Sequence, residues 1–363
     1  MDFEFSEEQE VLRATVRRFL AEQAPIQPYV RDLYGDARGT TDSVWKGLAD
    51  LGVTGLLVPQ GHGGTGMGMV DMGVVLEELG RAVHPGPFLS SAVGAASLLS
   101  AVDDGADLLT AIAEGSLVAT VALTETDGRD WRRVETTDAG GVLTGTKTFV
   151  PDAACADVLL VTARPEGSAQ IGVFAVEAGA PGLVVEPTPS VDGTRPQATV
   201  TLAGPPARRL GGEGTAAVAE TVDRLLVALA TDGVGAAQVA LDLTVAHAKE
   251  RVQFDRPIGA FQAVQHLCAD MLQALELGRA GAYYALWACD AADPVERHRA
   301  AVMAKAFAAD AFPRVGASAI QVFGGVGFTW EHDIHLFYKR LLTLQQAYGD
   351  ASDALEELAG VVL

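Results

Sequence analysis

The helical period that runs from Thr215 toward the C-terminus constrains the fold of this chain more than any other feature. Four long segments carry it, at about residues 215–249, 259–290, 293–323 and 333–360. Long helices joined by short loops pack as antiparallel neighbours. Residues 213–363 are therefore predicted to form an antiparallel four-helix bundle.

Two regions of different character precede this bundle. Residues 1–115 hold shorter helical segments, the first of them opened by Ser6 and Gln9 at the spacing of a capping box. Residues 116–212 hold β-rich runs separated by turn residues, at 117–123, 141–143, 158–161, 171–176, 183–185 and 198–202. The pattern predicts an α+β multidomain protein, with an N-terminal α-helical domain, a middle β-barrel or sandwich, and the C-terminal bundle.

Composition excludes several classes of function. The chain is 49% hydrophobic, which is typical of a large core, and its 26 basic against 47 acidic residues give a net charge of −21. Such a surface repels nucleic acid and anionic membranes, so neither is an expected partner. The three cysteines show no metal-ligand spacing, and the acidic first ten residues do not resemble a signal peptide. We expect a cytoplasmic protein without a metal site or a membrane span.

Two short motifs in the C-terminal third carry groups suited to a phosphate. The run from Arg251 to Gln265 places a guanidinium (Arg251), an aromatic ring (Phe254) and an amide (Gln262) in one turn and the helix that follows. The fork of donors on Arg suits a phosphate. The run from Gln321 to Phe328 contains two adjacent glycines, which let backbone N–H groups approach an anion. From the residues alone, a capped hairpin and a helix end remain open as alternatives.

Together with motifs in the N-terminal half, these runs resemble the acyl-CoA dehydrogenase family. The matching stretches are L-L-V-P at 56–59, G-G-T-G at 63–66, E-E-L-G-R at 77–81, L-T-E-T at 123–126 and G-T-K-T-F-V at 145–150. The resemblance covers the whole chain. It implies FAD as cofactor, an acyl-CoA thioester as substrate, electron-transfer flavoprotein as acceptor, and a homo- or hetero-oligomer arranged as a dimer of dimers.

The resemblance also assigns candidate binding residues. On the side that serves a neighbouring chain's FAD, it implies pyrophosphate contact by Arg251, packing by Phe254, and an ADP cradle formed by Gln262, Gln321, Gly324 and Gly325. Facing the isoalloxazine within this chain it implies Thr124, Thr126 and Phe149. Asp223 and Arg224 are candidates for contact with the CoA moiety.

The catalytic base is where the sequence departs from the family. The two positions that the resemblance gives to a catalytic Glu hold Tyr348 and Leu225, neither of which can remove a proton. Asp232 interrupts an apolar helical run nearby, and a buried carboxyl there would have a raised pKa suited to a base. The alternative is that Asp232 hydrogen-bonds locally or caps an irregularity at Gly233.

Two functions stay open on these grounds. One is an FAD-dependent acyl-CoA dehydrogenase that desaturates a fatty-acyl or steroid side-chain CoA thioester with Asp232 as its base. The other is a catalytically silent partner subunit that completes the FAD site of a homologous catalytic subunit in an α2β2 assembly.

Overall fold

The computed structural model describes residues 5–362, so the first four residues of the acidic N-terminus lie outside the described part. As predicted, Ser6 opens the first helix, since its hydroxyl accepts from the Gln9 backbone while the Gln9 side chain accepts from the Ser6 backbone. The helices of the N-terminal region are α1 (Glu7–Gln23), α2 (Asp42–Asp50), α3 (Met69–Arg81), α4 (Ala96–Ser100), which continues a π-helical turn at Leu89–Ala95, and α5 (Ala106–Ala113).

A curled eight-stranded sheet follows. Its strands are β1 (Ala119–Ala122), β2 (Thr137–Asp138), β3 (Val142–Pro151), β4 (Val158–Pro165), β5 (Gly172–Glu177), β6 (Leu183–Thr188), β7 (Gln197–Pro206) and β8 (Arg208–Leu210). They lie in the order β6-β7-β3-β2-β4-β5-β8, and β1 pairs in parallel with β4. Apolar side chains from both halves, including Leu143, Leu159, Phe174 and Val200, form a core of their own. The predicted β domain is confirmed.

The C-terminal region is a helical bundle of α6 (Thr215–Glu250), α7 (Gln262–Ala291), α8 (Pro294–Phe323), α9 (Ile334–Gln346) and α10 (Ala351–Val362). A two-stranded hairpin of β9 (Val252–Gln253) and β10 (Arg256–Pro257) joins α6 to α7. The expectation of one continuous helix over 333–360 is wrong. Tyr348 (φ 55°) and Gly349 (φ 100°) adopt left-handed backbone that a helix does not accommodate, and the chain breaks there.

Helix α6 is the central element of the molecule. Within residues 5–362 it alone is long and apolar enough to span a membrane by length and composition, but 78% of its most apolar window is buried inside the fold. Helix α3 crosses it at very short range. A Cβ added at Gly80 or Gly235 would lie 2.0 Å from a backbone oxygen of the opposite helix. Glycine at both positions therefore permits the crossing.

A buried ionic network fixes the middle domain against the bundle. Arg340 on α9 is 3% exposed and donates from Nε to Asp192 (2.8 Å), from Nη1 to Asp232 on α6 (3.0 Å) and from Nη2 to the His84 carbonyl (3.1 Å). Arg195 also donates to Asp232, at 2.8 Å. Because Asp192 and Arg195 lie in the loop between β6 and β7, the network ties all three regions together.

A second polar chain holds α10. Asp223 on α6 accepts from His298 Nδ1 at 2.7 Å, and His298 Nε2 lies 3.0 Å from Glu357 on α10. Glu357 in turn pairs with Arg132 of the middle domain. The hydrogen bond that His298 donates to Asp223, followed by that to Glu357, raises the pKa of His298 from 6.5 to about 9.

Replacing Arg340 with Met should destabilise the fold strongly. The substitution leaves Asp192 and Asp232 buried without their shared cation, and breaking a buried ion pair in this way costs about 3–5 kcal/mol. The free energy of unfolding, measured by urea denaturation, checks this. Arg314→Met is the matched control, because Arg314 is exposed and its one partner among residues 5–362 is Asp310, one helical turn away, so its loss should cost less than about 1 kcal/mol. Equal losses in the two variants would contradict this role of the network.

The contribution of His298 should depend on pH. Its pKa is raised in the folded chain, so its stabilising effect is complete below pH 6.5 and is lost as pH rises through about 9. After allowance for solvent screening, we expect parent and His298→Gln proteins to differ by about 2 kcal/mol in unfolding free energy at pH 6 and by much less at pH 10. Denaturation at both pH values measures this, and a constant difference would argue against it.

Candidate functional site

A cavity of about 540 Å³ lies where the three regions meet. Its walls come from the π-helical turn before α4, the ends of β1 and β3, the loop between β6 and β7, helices α6 and α9, and the segment after α9. The lining residues that matter below are Ser90, Thr124, Phe149, Asp152, Arg195, Leu225, Asp232 and Tyr348.

Strained backbone is concentrated around this cavity. Phe149, Asp152 and Tyr348 line it with φ between 53° and 55°, and Thr126 (φ 51°) lies beside Asp127 on its rim. Left-handed backbone in non-glycine residues costs about 1–3 kcal/mol each and persists where surrounding contacts impose it. Such residues cluster at functional sites, and their grouping here marks the cavity as one.

The sheet side of the cavity is rigid. Lys147 is fully buried and donates to Glu125 Oε1 at 2.6 Å and to Thr162 at 3.0 Å, which connects the ends of β1, β3 and β4. Burial lowers the pKa of Lys147 to about 8, against the stabilising charge of Glu125. The hydroxyl of Thr124 is used within the chain, where it donates to the Thr148 carbonyl. Phe149 is 42% exposed and packs on Gly128, where a Cβ would come within 2.4 Å of its ring.

The three candidate base positions lie at the cavity, but none presents a free carboxylate. Leu225 and Tyr348 both line it, as the resemblance implies. Asp232 lines it too, yet its carboxylate accepts from Arg195 and Arg340. Two guanidiniums occupy its oxygens, which argues against the expectation that it is an available base. The alternative of a helix irregularity is also wrong, because α6 continues unbroken through Gly233.

Asp152 is the carboxyl group in this cavity that sequence reasoning missed. It is 4% exposed, accepts from Ser90 Oγ at 2.6 Å, and leaves its other oxygen buried without a partner. Burial raises its pKa, while the hydrogen bond from Ser90 and the charges of Arg195 and Arg340 act in the opposite direction. The sequence signal was an acid directly after Pro151 at a strand end.

The expected CoA contacts do not form part of the cavity. Asp223 is 2% exposed and is occupied by Arg297 Nε at 3.0 Å and His298 Nδ1 at 2.7 Å. Its carboxylate is thus engaged within the fold, which argues against the expectation that it meets a ligand. Arg224 lies 20% exposed beside Glu220, with which it pairs one turn away.

A second candidate site lies at the far end of the bundle. Helices α6 and α8 both end there, and α7 begins there. The His247 and Phe323 rings, near the ends of α6 and α8, stack with their centroids 4.2 Å apart. This end carries what we call the bundle-end cluster: Arg251, Gln262, Gln321, Gly324 and Gly325, all of them exposed. In the part of the chain that the structure describes, the Arg251 side chain makes no ion pair or hydrogen bond, so its donors are available.

The backbone at this end suits an anion. Gly324 ends α8 with φ 65° and ψ −141°, a conformation essentially restricted to glycine, and nothing lies within 4 Å of where a Cβ would be. Phe254 sits at the tip of the β9–β10 hairpin with φ 53° and is 86% exposed. A strained, exposed aromatic residue at a hairpin tip points to contact with a partner.

The two sites are too far apart to hold the same part of one ligand. Arg251 follows Asp232 by 19 residues along α6, about 28 Å at the helical rise. The cavity offers an aromatic ring, strained strand ends and apolar walls suited to a flat ring system, whereas the bundle-end cluster offers phosphate ligands. The residues present therefore fit two different parts of FAD, the flavin ring at the cavity and the phosphates at the bundle-end cluster.

Comparisons with known proteins agree with this geometry. Family models for the acyl-CoA dehydrogenase N-terminal, middle and C-terminal domains match residues 6–104, 120–203 and 212–359. The acyl-CoA dehydrogenase IpdE2 of Mycolicibacterium smegmatis is 32% identical over 362 residues, which cover 98% of this chain and 99% of that protein.

Two solved structures extend the comparison. A steroid ACAD variant, Tcur3481-Tcur3483, matches with a TM-score of 0.89 at 32% identity, covering 98% of each chain. The ChsE4-ChsE5 complex from Mycobacterium tuberculosis matches with a TM-score of 0.90 at 27% identity, covering 99% of this chain and 98% of that one. With all three domains matched and a relative of nearly equal length, this chain belongs to the acyl-CoA dehydrogenase family, whose members bind FAD.

Proposed function

We propose that this chain is a subunit of an FAD-dependent acyl-CoA dehydrogenase assembly and that it contributes to two flavin sites. The observation that carries the proposal is the separation of a cavity suited to the flavin ring from a bundle-end cluster suited to phosphate. Because about 28 Å of α6 separates the two, we assign the bundle-end cluster to the flavin of a neighbouring chain.

Each candidate FAD-binding residue has a role in this proposal. Thr124, Thr126 and Phe149 would border the flavin ring, with Phe149 offering an aromatic face. Arg251 would bind the pyrophosphate, Phe254 would pack on the cofactor, and Gln262, Gln321, Gly324 and Gly325 would surround the ADP portion. The chemistry that bound FAD supplies is acceptance of a hydride from the β-carbon of the thioester.

The bundle also presents a surface for assembly. A groove of about 410 Å³ on the outer face of α7 and α8 is lined in part by Met271, Leu277 and Phe307. Leu277 and Phe307, which both line this groove, are 55% and 37% exposed. Contiguous exposed apolar residues mark protein interfaces, which supports a dimer-of-dimers arrangement.

Within this function, we propose that the chain acts as the partner subunit without its own base. The supporting observation is that Leu225 and Tyr348 line the cavity while Asp232 is held by two arginines. A homologous chain would then supply the catalytic Glu, as the two-component names of the similar structures suggest. The word steroid in the name of one of them supports a steroid side-chain CoA as substrate, with a fatty-acyl CoA as the alternative. Family resemblance supports electron-transfer flavoprotein as the acceptor, and the cytoplasm is the compartment that we propose.

Replacing Arg251 with Met should reduce FAD content. A charge-assisted hydrogen bond to phosphate is lost, which weakens binding by roughly tenfold or more. The ratio of flavin to protein absorbance, measured on the assembly purified with its homologous partner and dialysed against limiting FAD, reports this. Arg256→Met is the matched control in the same hairpin, because Arg256 lies over the Phe261 ring at 4.1 Å instead of facing outward unpaired. Equal flavin loss in both variants would count against the proposed role of Arg251.

Introducing a carboxylate at Tyr348 should create activity in this chain's cavity. A positioned general base contributes about 10²–10⁴-fold to rate. The test uses an assembly whose partner carries Gln in place of its own catalytic Glu. In that assembly, an acyl-CoA should bleach the flavin anaerobically about 100-fold faster with Tyr348→Glu than with Tyr348→Gln. Stopped-flow absorbance measures this. Rapid bleaching in the Tyr348→Gln assembly would show instead that this chain already has a base.

A further inference from the structure

The cavity contains an unusual pair of unsatisfied polar groups. Asp152 has one oxygen occupied by Ser90 and the other buried and unpartnered. Arg195 donates from one Nη to Asp232, and its Nε is buried without a partner. Both residues line the same cavity, and within residues 5–362 they do not pair with each other.

Leaving such groups unsatisfied is costly. A buried polar atom without a partner costs about 1–3 kcal/mol, and more than nine in ten buried polar groups in folded proteins are satisfied. An acceptor and a donor unsatisfied in the same cavity therefore point to a ligand that satisfies both. The Asp152 oxygen is buried, so it would meet such a group by rotation about χ2, a terminal torsion that is broad in Asp.

Charge decides which ligand group fits. Around this corner of the cavity, the negative charges of Asp192 and Asp232 balance the positive charges of Arg195 and Arg340. A ligand carboxylate would add an uncompensated negative charge next to Asp152 and a carbonyl could not donate to it, whereas a hydroxyl adds no charge. A hydroxyl can donate to Asp152 and accept from Arg195.

We propose that Asp152 and Arg195 form a subsite that selects acyl groups bearing a hydroxyl substituent on an otherwise apolar body. Leu89, Leu225 and Leu229 supply the apolar walls for that body. The inference rests on the proposed function, since it takes the cavity to be an acyl-CoA site. It makes Asp152 a specificity-determining residue.

Binding of unreactive thioethers tests the subsite without turnover. The probes are S-(cyclohexylmethyl)-CoA and its analogue hydroxylated on the ring carbon farthest from sulfur, both of which lack the carbonyl that acidifies the α-proton. Isothermal titration of the flavin-loaded assembly should show a preference of about tenfold or more for the hydroxylated probe. In Asp152→Leu this preference should fall to within about twofold. An analogue with a carboxylate at that carbon should bind more weakly than the unsubstituted probe.

Two further variants keep the test decisive. Ser90→Ala removes the hydroxyl that orients Asp152 and should lower the preference for the hydroxylated probe. Circular dichroism checks that each variant folds, so Ser90→Ala still tests the subsite if Asp152→Leu does not fold. Asp127→Leu changes an exposed acid on the same cavity's rim and should keep the preference. Equal affinities in the parent, a preference retained in both Asp152→Leu and Ser90→Ala, or no binding of either probe would overturn the inference. Flavin content is measured separately by absorbance. An assembly that binds flavin but shows no preference for the hydroxylated probe refutes the subsite alone. An assembly that never takes up flavin refutes the proposed function.

Discussion

The position of Arg340 determines how the three regions meet. Its guanidinium is buried and reaches Asp192 in the middle domain, Asp232 on α6 and the His84 carbonyl in the N-terminal region. A buried ionic network is a weak source of net stability but a strong source of geometric definition, because only one arrangement satisfies all its members. Here that arrangement sets the width and shape of the cavity between the sheet and the bundle.

The cavity depends on this definition because its rim is strained. Phe149, Asp152 and Tyr348 adopt left-handed backbone that isolated segments would avoid. The Lys147–Glu125 pair fixes the strand ends, and Lys305, buried beneath the end of α9, donates to the Leu344 carbonyl at 2.5 Å and so holds the segment that leads to Tyr348. Rigid contacts outside the cavity thus maintain strained residues within it.

The sequence was informative wherever the signal was local. Helical period, alternating strands and the capping box at Ser6 are short-range patterns, and the architecture follows from them. The exposed residues of the bundle-end cluster were found because they lie in short contiguous motifs. The partners of Asp232 could not be found, since Arg195 and Arg340 lie 37 and 108 residues away and nothing local marks them. The break at Tyr348 and Gly349 was missed because a helical period continues on both sides of these two residues.

The contrast between the two sites bears on how this chain works. Among the residues that the structure describes, the bundle-end cluster keeps an unpaired guanidinium and a glycine in a conformation that only glycine adopts, and the exposed ring of Phe254 belongs to the adjoining hairpin. The cavity retains its strained rim and buried polar groups but has leucine and tyrosine at the positions that resemblance gives to a base. A chain that had lost all function would have no reason to keep either the strain or the unsatisfied polar groups, each of which lowers stability. The simplest physical account is that ligands compensate these costs at both sites, one of them bound together with another chain.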